Sequence, residues 1–188
     1  MKEEQIIEAA RELFTTYGYK RVSMDEIAKQ ANVTKKTVYS YFKSKEDLLK
    51  YFINDEIKKM KKIVENTENI DLPYFTNVHN VIISLIEYKN ESRFLRNIVR
   101  ESEVFGNSVI IENLKQIDHE IRKYISKRLQ EAIDKKYIEV DDVEITAFLI
   151  YKMYIALMFE WSDTKIDKQK IADNIIKILR NGLERKDV

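Results

Sequence analysis

The sequence predicts an all-α fold, on three observations. Only three Gly and one Pro occur in 188 residues, which leaves few places for tight turns. Apolar residues recur at three-and-four spacing through long stretches, the pattern of one buried helix face. Several of these stretches begin behind a Ser, Thr or Asp that can accept a free N–H of a first helical turn. The length permits one sizeable core or two small ones.

The first helix is expected from about Glu3 to Tyr17, with Ile6, Ala9, Ala10, Leu13, Phe14 and Tyr17 inward and Gly18 ending it. Ser23 stands three residues before Glu26, the spacing of a capping box. The helix it opens runs from Met24 to about Ala31, with Ile27, Ala28 and Ala31 inward. Asn32 tolerates the left-handed region and so can close that helix. Thr34 caps the next helix, which turns Val38 and Phe42 inward, and Ser44 caps a third, with Asp47 at its third position.

Two short helices joined by so tight a turn must cross steeply. Small Ala28 permits the approach and Val38 fills the angle. This is the layout of a helix-turn-helix, whose second helix enters the DNA major groove. Its outward face suits that place: Lys35, Lys36, Thr37, Ser40 and Tyr41 are cationic or hydrogen-bonding, and Tyr39 offers a hydroxyl to a phosphate. The whole chain carries a net charge of only +1, so affinity for DNA must arise locally. Six lysines against two carboxylates lie between Lys29 and Lys50, on the recognition element and its flank. Lys20 and Arg21 in the preceding loop can meet the DNA backbone or simply be solvated.

This segment resembles the DNA-binding domain of TetR-family transcriptional regulators. The matching residues are Ala9–Ala10 and Leu13–Phe14 before Gly18, Ser23–Met24, Ile27–Ala28, Ala31–Asn32–Val33–Thr34, Thr37–Val38–Tyr39, Tyr41–Phe42 and Lys45–Glu46–Asp47–Leu48–Leu49. They span roughly the first quarter of the chain. Asn32 and Lys36 depart from glycines common at those places, and Lys36 adds charge to the groove-facing helix, so base preference does not carry over. The resemblance implies a helix-turn-helix DNA-binding domain over 1–50 and an α-helical effector-binding and dimerisation domain over 51–188. It implies phosphate contacts for Tyr39 and Lys45. With Ser23, Thr34, Lys35, Lys36, Thr37, Ser40 and Tyr41 these make the expected DNA-binding set.

The helix from Ser44 carries a long apolar stripe of Leu49, Phe52, Ile53, Ile57, Met60, Ile63 and Val64, about twenty residues or ~30 Å. Residues 66–73, NTENIDLP, hold the only Pro and end it. A helix follows from Tyr74 to Tyr88, and KNES at 89–92 is expected to break it. The next, from about Ser92 to Phe105, shows Arg93, Arg96 and Arg100 on one face. Either that face is solvated and paired with Glu101 and Glu103, or it receives an anion. Gly106–Asn107 makes a turn, and a long helix runs from Ser108 to about Lys136.

Asp141 or Asp142 caps a helix from Val143 to Trp161 that is apolar nearly all round, with Lys152 its only charge between Glu144 and Glu160. Such a helix must be covered on more than one side. The last helix, about Lys168 to Leu183, is again apolar along one face. The resemblance implies that these two helices pair with their copies across a twofold axis, through Ile145, Phe148, Leu149, Phe159, Ile171, Ile175, Ile178 and Leu179. The alternative is that they complete one chain's core. An effector pocket is likewise implied; the available walls are Tyr88, Phe94, Phe105, Tyr124, Phe148, Tyr151, Tyr154, Met158 and Trp161, any of which can instead be plain core. Such walls suit a hydrophobic or amphipathic small molecule.

The sequence therefore points to a homodimeric regulator of double-stranded operator DNA, with no cofactor, metal or catalytic group. The expected function is repression relieved by the effector. A regulator without an effector, an activator, and a helical interaction protein that ignores DNA are the rivals. An enzyme is disfavoured: there is no Cys, no paired His and no Glu-x-x-His spacing. His79 and His119 are far apart and read as ordinary residues. MKEEQII does not read as a signal peptide and no apolar run approaches a membrane span, so the expected location is the cytoplasm.

Overall fold

The computed structural model describes residues 1–105, 108–156 and 167–183, except for the side chains of residues 90, 99–100 and 102–117. These residues form α1 (Lys2–Tyr17), α2 (Met24–Gln30), α3 (Lys35–Tyr41), α4 (Lys45–Thr67), α5 (Tyr74–Glu91), α6 (Arg93–Phe105), α7 (Ser108–Asp134), α8 (Val143–Ile155) and α9 (Lys168–Leu183). The chain divides into two compact units, Met1–Lys58 with Ser92–Lys115, and Lys59–Glu91 with Gln116–Val188.

The first unit is built on α1, which packs against α2, α3 and α6. Ile6, Ala10, Phe14, Ile27, Val38, Leu48, Leu49 and Phe52 are wholly buried in it. Each large side chain contributes roughly 1.5–3 kcal/mol by leaving water. Phe14 meets Tyr19 and Phe52 edge-on, at 5.3 and 5.8 Å between ring centres, and Phe52 meets Phe94 of α6 at 5.5 Å. Tyr17, expected inward, is 61% exposed. The reason is Gly18: its φ of 85° ends α1 and swings the chain so that Tyr19, 3% exposed, takes the inner place.

Among the described residues, one charged group lies in this core. Glu56 is 2% exposed and accepts from Arg11 Nη1 at 2.8 Å and Ser92 Oγ at 3.1 Å. Arg11 Nη2 also reaches Asp55 at 2.5 Å, and the guanidinium lies 4.8 Å from the Phe52 ring centre and 5.3 Å from that of Phe94. A buried carboxylate is tolerable only with such partners.

In the second unit Phe75, Leu129, Ala132, Ile138 and Ala147 form a buried cluster, with Ile125, Ile150, Leu179 and Leu183 packed against it. Helices α5 and α9 lie side by side. The loop before α5 is closed by Asn77, which donates to Asn69 O at 2.8 Å and accepts from Asn69 N–H at 2.8 Å. Residues 89–91, expected as part of a break, continue α5 to Glu91. Ser92 alone interrupts, because its Oγ caps α6 by accepting from Leu95 N–H at 3.3 Å. Helix α7 stops at Asp134: Lys136 takes φ 61°, and Tyr137 N–H returns to Ala132 O at 2.9 Å, a left-handed cap on a Lys. Asp142, of the two candidates, caps α8 by accepting from Ile145 N–H at 2.9 Å. The stretch 157–161, expected to continue α8 to Trp161, lies outside the described residues.

Candidate nucleic-acid interface

The capping residues fix the geometry of α2 and α3. Glu26 N–H donates to Ser23 Oγ at 3.2 Å, and Ser23 N–H donates to Glu26 Oε2 at 2.8 Å. The Ser23 hydrogen bonds hold the Glu26 carboxyl below its ordinary pKa. Asn32 adopts φ 52°, and Val33 N–H turns back to Ala28 O at 3.0 Å. Thr34 Oγ1 accepts from Thr37 N–H at 3.1 Å and starts α3. Val38 is fully buried and Phe42 is 8% exposed, so the opposite side of α3 must face water.

That side carries Lys35, Lys36, Ser40 and Tyr41, all exposed, with Thr37 half-buried. Tyr39 is 42% and Tyr41 47% exposed. Ser40 Oγ donates to Thr37 O at 2.7 Å. Lys35 Nζ pairs with Asp25 at 2.7 Å, both side chains well exposed, and this contact raises the Lys35 pKa. In water such a pair is weak, so a phosphate can compete for the ammonium. A seven-residue helix is ~10 Å long and fits a major groove about 12 Å wide.

Lys45 sits differently from its neighbours. Its ammonium donates to Tyr19 O at 2.9 Å and Val22 O at 2.8 Å, and lies 4.5 Å from the Tyr19 ring centre. Burial pushes its pKa down against the opposing pull of Glu46, Glu101 and Glu26. Tyr19 in turn donates its hydroxyl to Glu46 at 3.2 Å, and burial, followed by the Glu46 charge, raises its pKa. Nothing in the spacing of residues 19–22 announced this arrangement.

The expected dimer residues fall into two groups. Ile145, Phe148 and Leu149 of α8 are 59%, 42% and 59% exposed, and Ile178 of α9 is 64% exposed. Ile145, Phe148 and Leu149 share one helix face. Ile175 is buried, Ile171 half-buried, and Leu179 belongs to the second unit's own core; Phe159 lies outside the described residues.

The expected pocket residues also divide. Tyr124, Tyr151 and Tyr154 stand in the second unit. Tyr154 donates its hydroxyl to the Met60 sulfur at 3.2 Å. Tyr151 is buried and hydrogen-bonded to Asp118, and burial with the nearby carboxylate raises its pKa to about 12. Tyr88 is half-buried on α5. Phe94 belongs to the first unit, buried against Phe52, and Phe148 faces solvent. The side chains of Phe105, Met158 and Trp161 lie outside the described residues.

Among the described residues no cluster of metal-ligating side chains occurs, and no helix is long and apolar enough to cross a membrane. His79 bonds Asp173 at 2.8 Å, and His119 is exposed. Arg93 and Arg96 are exposed on α6; the Arg100 side chain lies outside the described residues.

Two capped short helices in contact across a tight turn, with a polar and cationic outer face, make a helix-turn-helix, the element of a DNA-binding transcriptional regulator. Residues 6–52 match the model for bacterial regulatory proteins of the tetR family. An uncharacterized HTH-type transcriptional regulator of Bacillus subtilis (strain 168), YhgD, is 34% identical over 97% of this chain and 96% of its own length. The chain belongs to the TetR family of DNA-binding transcriptional regulators, which are not enzymes. The fatty acid metabolism regulator protein of the same organism is 25% identical over 97% of this chain and 95% of its own. In fold, the chain is similar to the fatty acid degradation regulator FadR of Bacillus halodurans, with TM-score 0.75, 20% identity, and coverage of 98% and 97%.

Proposed function

We propose that the chain is a cytoplasmic repressor that binds its operator as a homodimer and leaves it when a small apolar or amphipathic effector binds. Residues 1–50 form the DNA-binding domain in this reading, and 51–188 the effector-binding and dimerisation domain. The observation that carries it is the outward face of α3. It is solvated, polar and cationic, and it is held rigid over buried Val38 by the caps at Ser23 and Thr34.

Lys36, Thr37, Ser40 and Tyr41 then meet base edges, while Ser23, Thr34, Lys35, Tyr39 and Lys45 meet the backbone. The Lys45 ammonium serves the carbonyls of Tyr19 and Val22, with the Lys20 carbonyl at 3.5 Å, and its charge attracts a backbone phosphate. Phosphate contacts position the protein and release counterions; base contacts specify the site.

The exposed Ile145, Phe148, Leu149 and Ile178 support dimerisation through α8 and α9. A twofold dimer presents two α3 helices to half-sites about 34–36 Å apart. The effector class is supported by Tyr151 and Tyr154 within the second unit and by the roles of two similar proteins in fatty acid metabolism and degradation. Effector binding loosens the complex only by its difference in affinity between the DNA-bound and released arrangements.

A mobility shift with a duplex from the region upstream of the chain's own gene tests both parts. The expected result is a retarded band that fades with salt and with added long-chain fatty acid. No band at low salt contradicts the DNA reading. A band untouched by fatty acids and by other apolar or amphipathic small molecules favours a regulator without an effector.

A further inference from the structure

Helix α6 reaches the end of α1 through side chains that the DNA-binding reading does not use. Asn97 donates Nδ2 to Thr15 O at 2.5 Å, one of the last carbonyls of α1, which lack helical partners of their own. Glu101 lies one turn further along the same face. Its Oε2 accepts from Lys20 N–H at 3.2 Å. Its Oε1 fills the space that a side chain at position 18 would occupy, so any Cβ there would overlap it. Gly18 is thus favoured by its φ of 85°, and a Cβ there would also push this carboxylate out of its place.

Residues 18–22 lead directly into Ser23, the cap of α2. They are held from two sides. Lys45 of α4 draws in the carbonyls of Tyr19 and Val22, and Glu101 of α6 takes the N–H of Lys20. We propose that Asn97 and Glu101 are positioning residues for DNA recognition: they fix the end of α1 and the loop after it, and so the stance of α2 and the α3 packed upon it. The inference rests on the DNA-binding reading of α3. It also makes a claim of opposite sign to simple electrostatics. A carboxylate in the unit that meets phosphates should weaken DNA binding by repulsion. Held as a brace, it should strengthen it.

The test compares Glu101→Ala and Glu101→Gln with the unaltered full chain. Amide exchange at Lys20 is followed by NMR without DNA, and affinity is measured with the upstream duplex. Glu101→Ala removes the acceptor, so Lys20 exchange should quicken and DNA binding weaken, each on the order of tenfold, the worth of one charge-assisted hydrogen bond. Glu101→Gln keeps an acceptor oxygen and loses the charge. Its Lys20 exchange should lie between those of the parent and Glu101→Ala, and its binding should exceed that of Glu101→Ala.

Glu101→Ala binding as tightly as Glu101→Gln, or unchanged exchange at Lys20, would overturn the proposal. A parent protein that shows the exchange contrast yet never binds DNA would place the failure in the DNA reading instead. Gly18→Ala supplies a check through folding: its destabilisation should be smaller in the Glu101→Ala background, where the overlap is gone. Strict additivity of the two changes would refute the contact.

Discussion

Arg11→Ala should be among the more damaging single changes in the first unit. The substitution removes the guanidinium that lies 2.8 Å from Glu56 and covers the Phe52 and Phe94 rings. Glu56, 2% exposed, would keep Ser92 as a hydrogen-bond donor at 3.1 Å but lose its principal countercharge. Removing one partner of a buried pair costs about 3–5 kcal/mol. Arg11 is itself 29% exposed, so water can enter, and the lower end, about 3 kcal/mol, applies. For a chain of this size that is a fall in Tm of roughly 6–12 °C.

The assay is thermal unfolding followed by circular dichroism, with urea unfolding as a check on slope. Arg11→Lys should recover only part of the loss, because an ammonium cannot fork between Asp55 and Glu56. Arg11→Met with Glu56→Leu should recover most of it, since no charge is then stranded. A fall below about 2 °C for Arg11→Ala, or a double variant worse than the single, would refute the reasoning.

Further changes test other parts of the account. Lys36→Ala and Tyr41→Ala should alter which bases are preferred, whereas Lys45→Ala should weaken binding to all sequences alike; a panel of duplexes read by anisotropy separates the two patterns. Leu149→Asp places a charge on the exposed face of α8 and should turn a dimer into a monomer by sedimentation at micromolar concentration, with the far-ultraviolet spectrum unchanged. Tyr151, with its pKa raised to about 12, keeps its proton in the folded chain above the unfolded value near 10. Its contribution to stability should therefore be complete below pH 10 and decline as pH rises from 10 to 12. Urea midpoints across that range should fall less steeply in Tyr151→Phe.

Local chemistry was legible in the sequence and long-range pairing was not. Ser23, Thr34 and Ser44 announce their caps because the hydrogen bond closes within three residues. Asn32 announces its left-handed turn for the same reason. Tyr17 misled because helical spacing continues to the last residue, while the swing at Gly18 hands the core position to Tyr19. The Arg11–Glu56 pair joins residues 45 apart, and Glu101 meets Lys20 across 81; no period connects them. The packing of α6 with the helix-turn-helix therefore had no signal. Lys45 was legible as a cation at a helix start, but its commitment to the Tyr19 and Val22 carbonyls depends on where the preceding loop folds. On α8, apolar residues all round gave the expectation of a second covering surface, and Ile145, Phe148 and Leu149 are the ones left exposed.

The central claim is that two copies of α3 are carried onto one duplex by a self-associating chain. Titration of the upstream duplex by anisotropy, from 50 to 200 mM salt, measures stoichiometry and counterion release together. Two protomers per duplex, with log K falling linearly in log salt at a slope of about −0.9 for each phosphate neutralised, is the expected result. One protomer per duplex, or an affinity indifferent to salt, would contradict it.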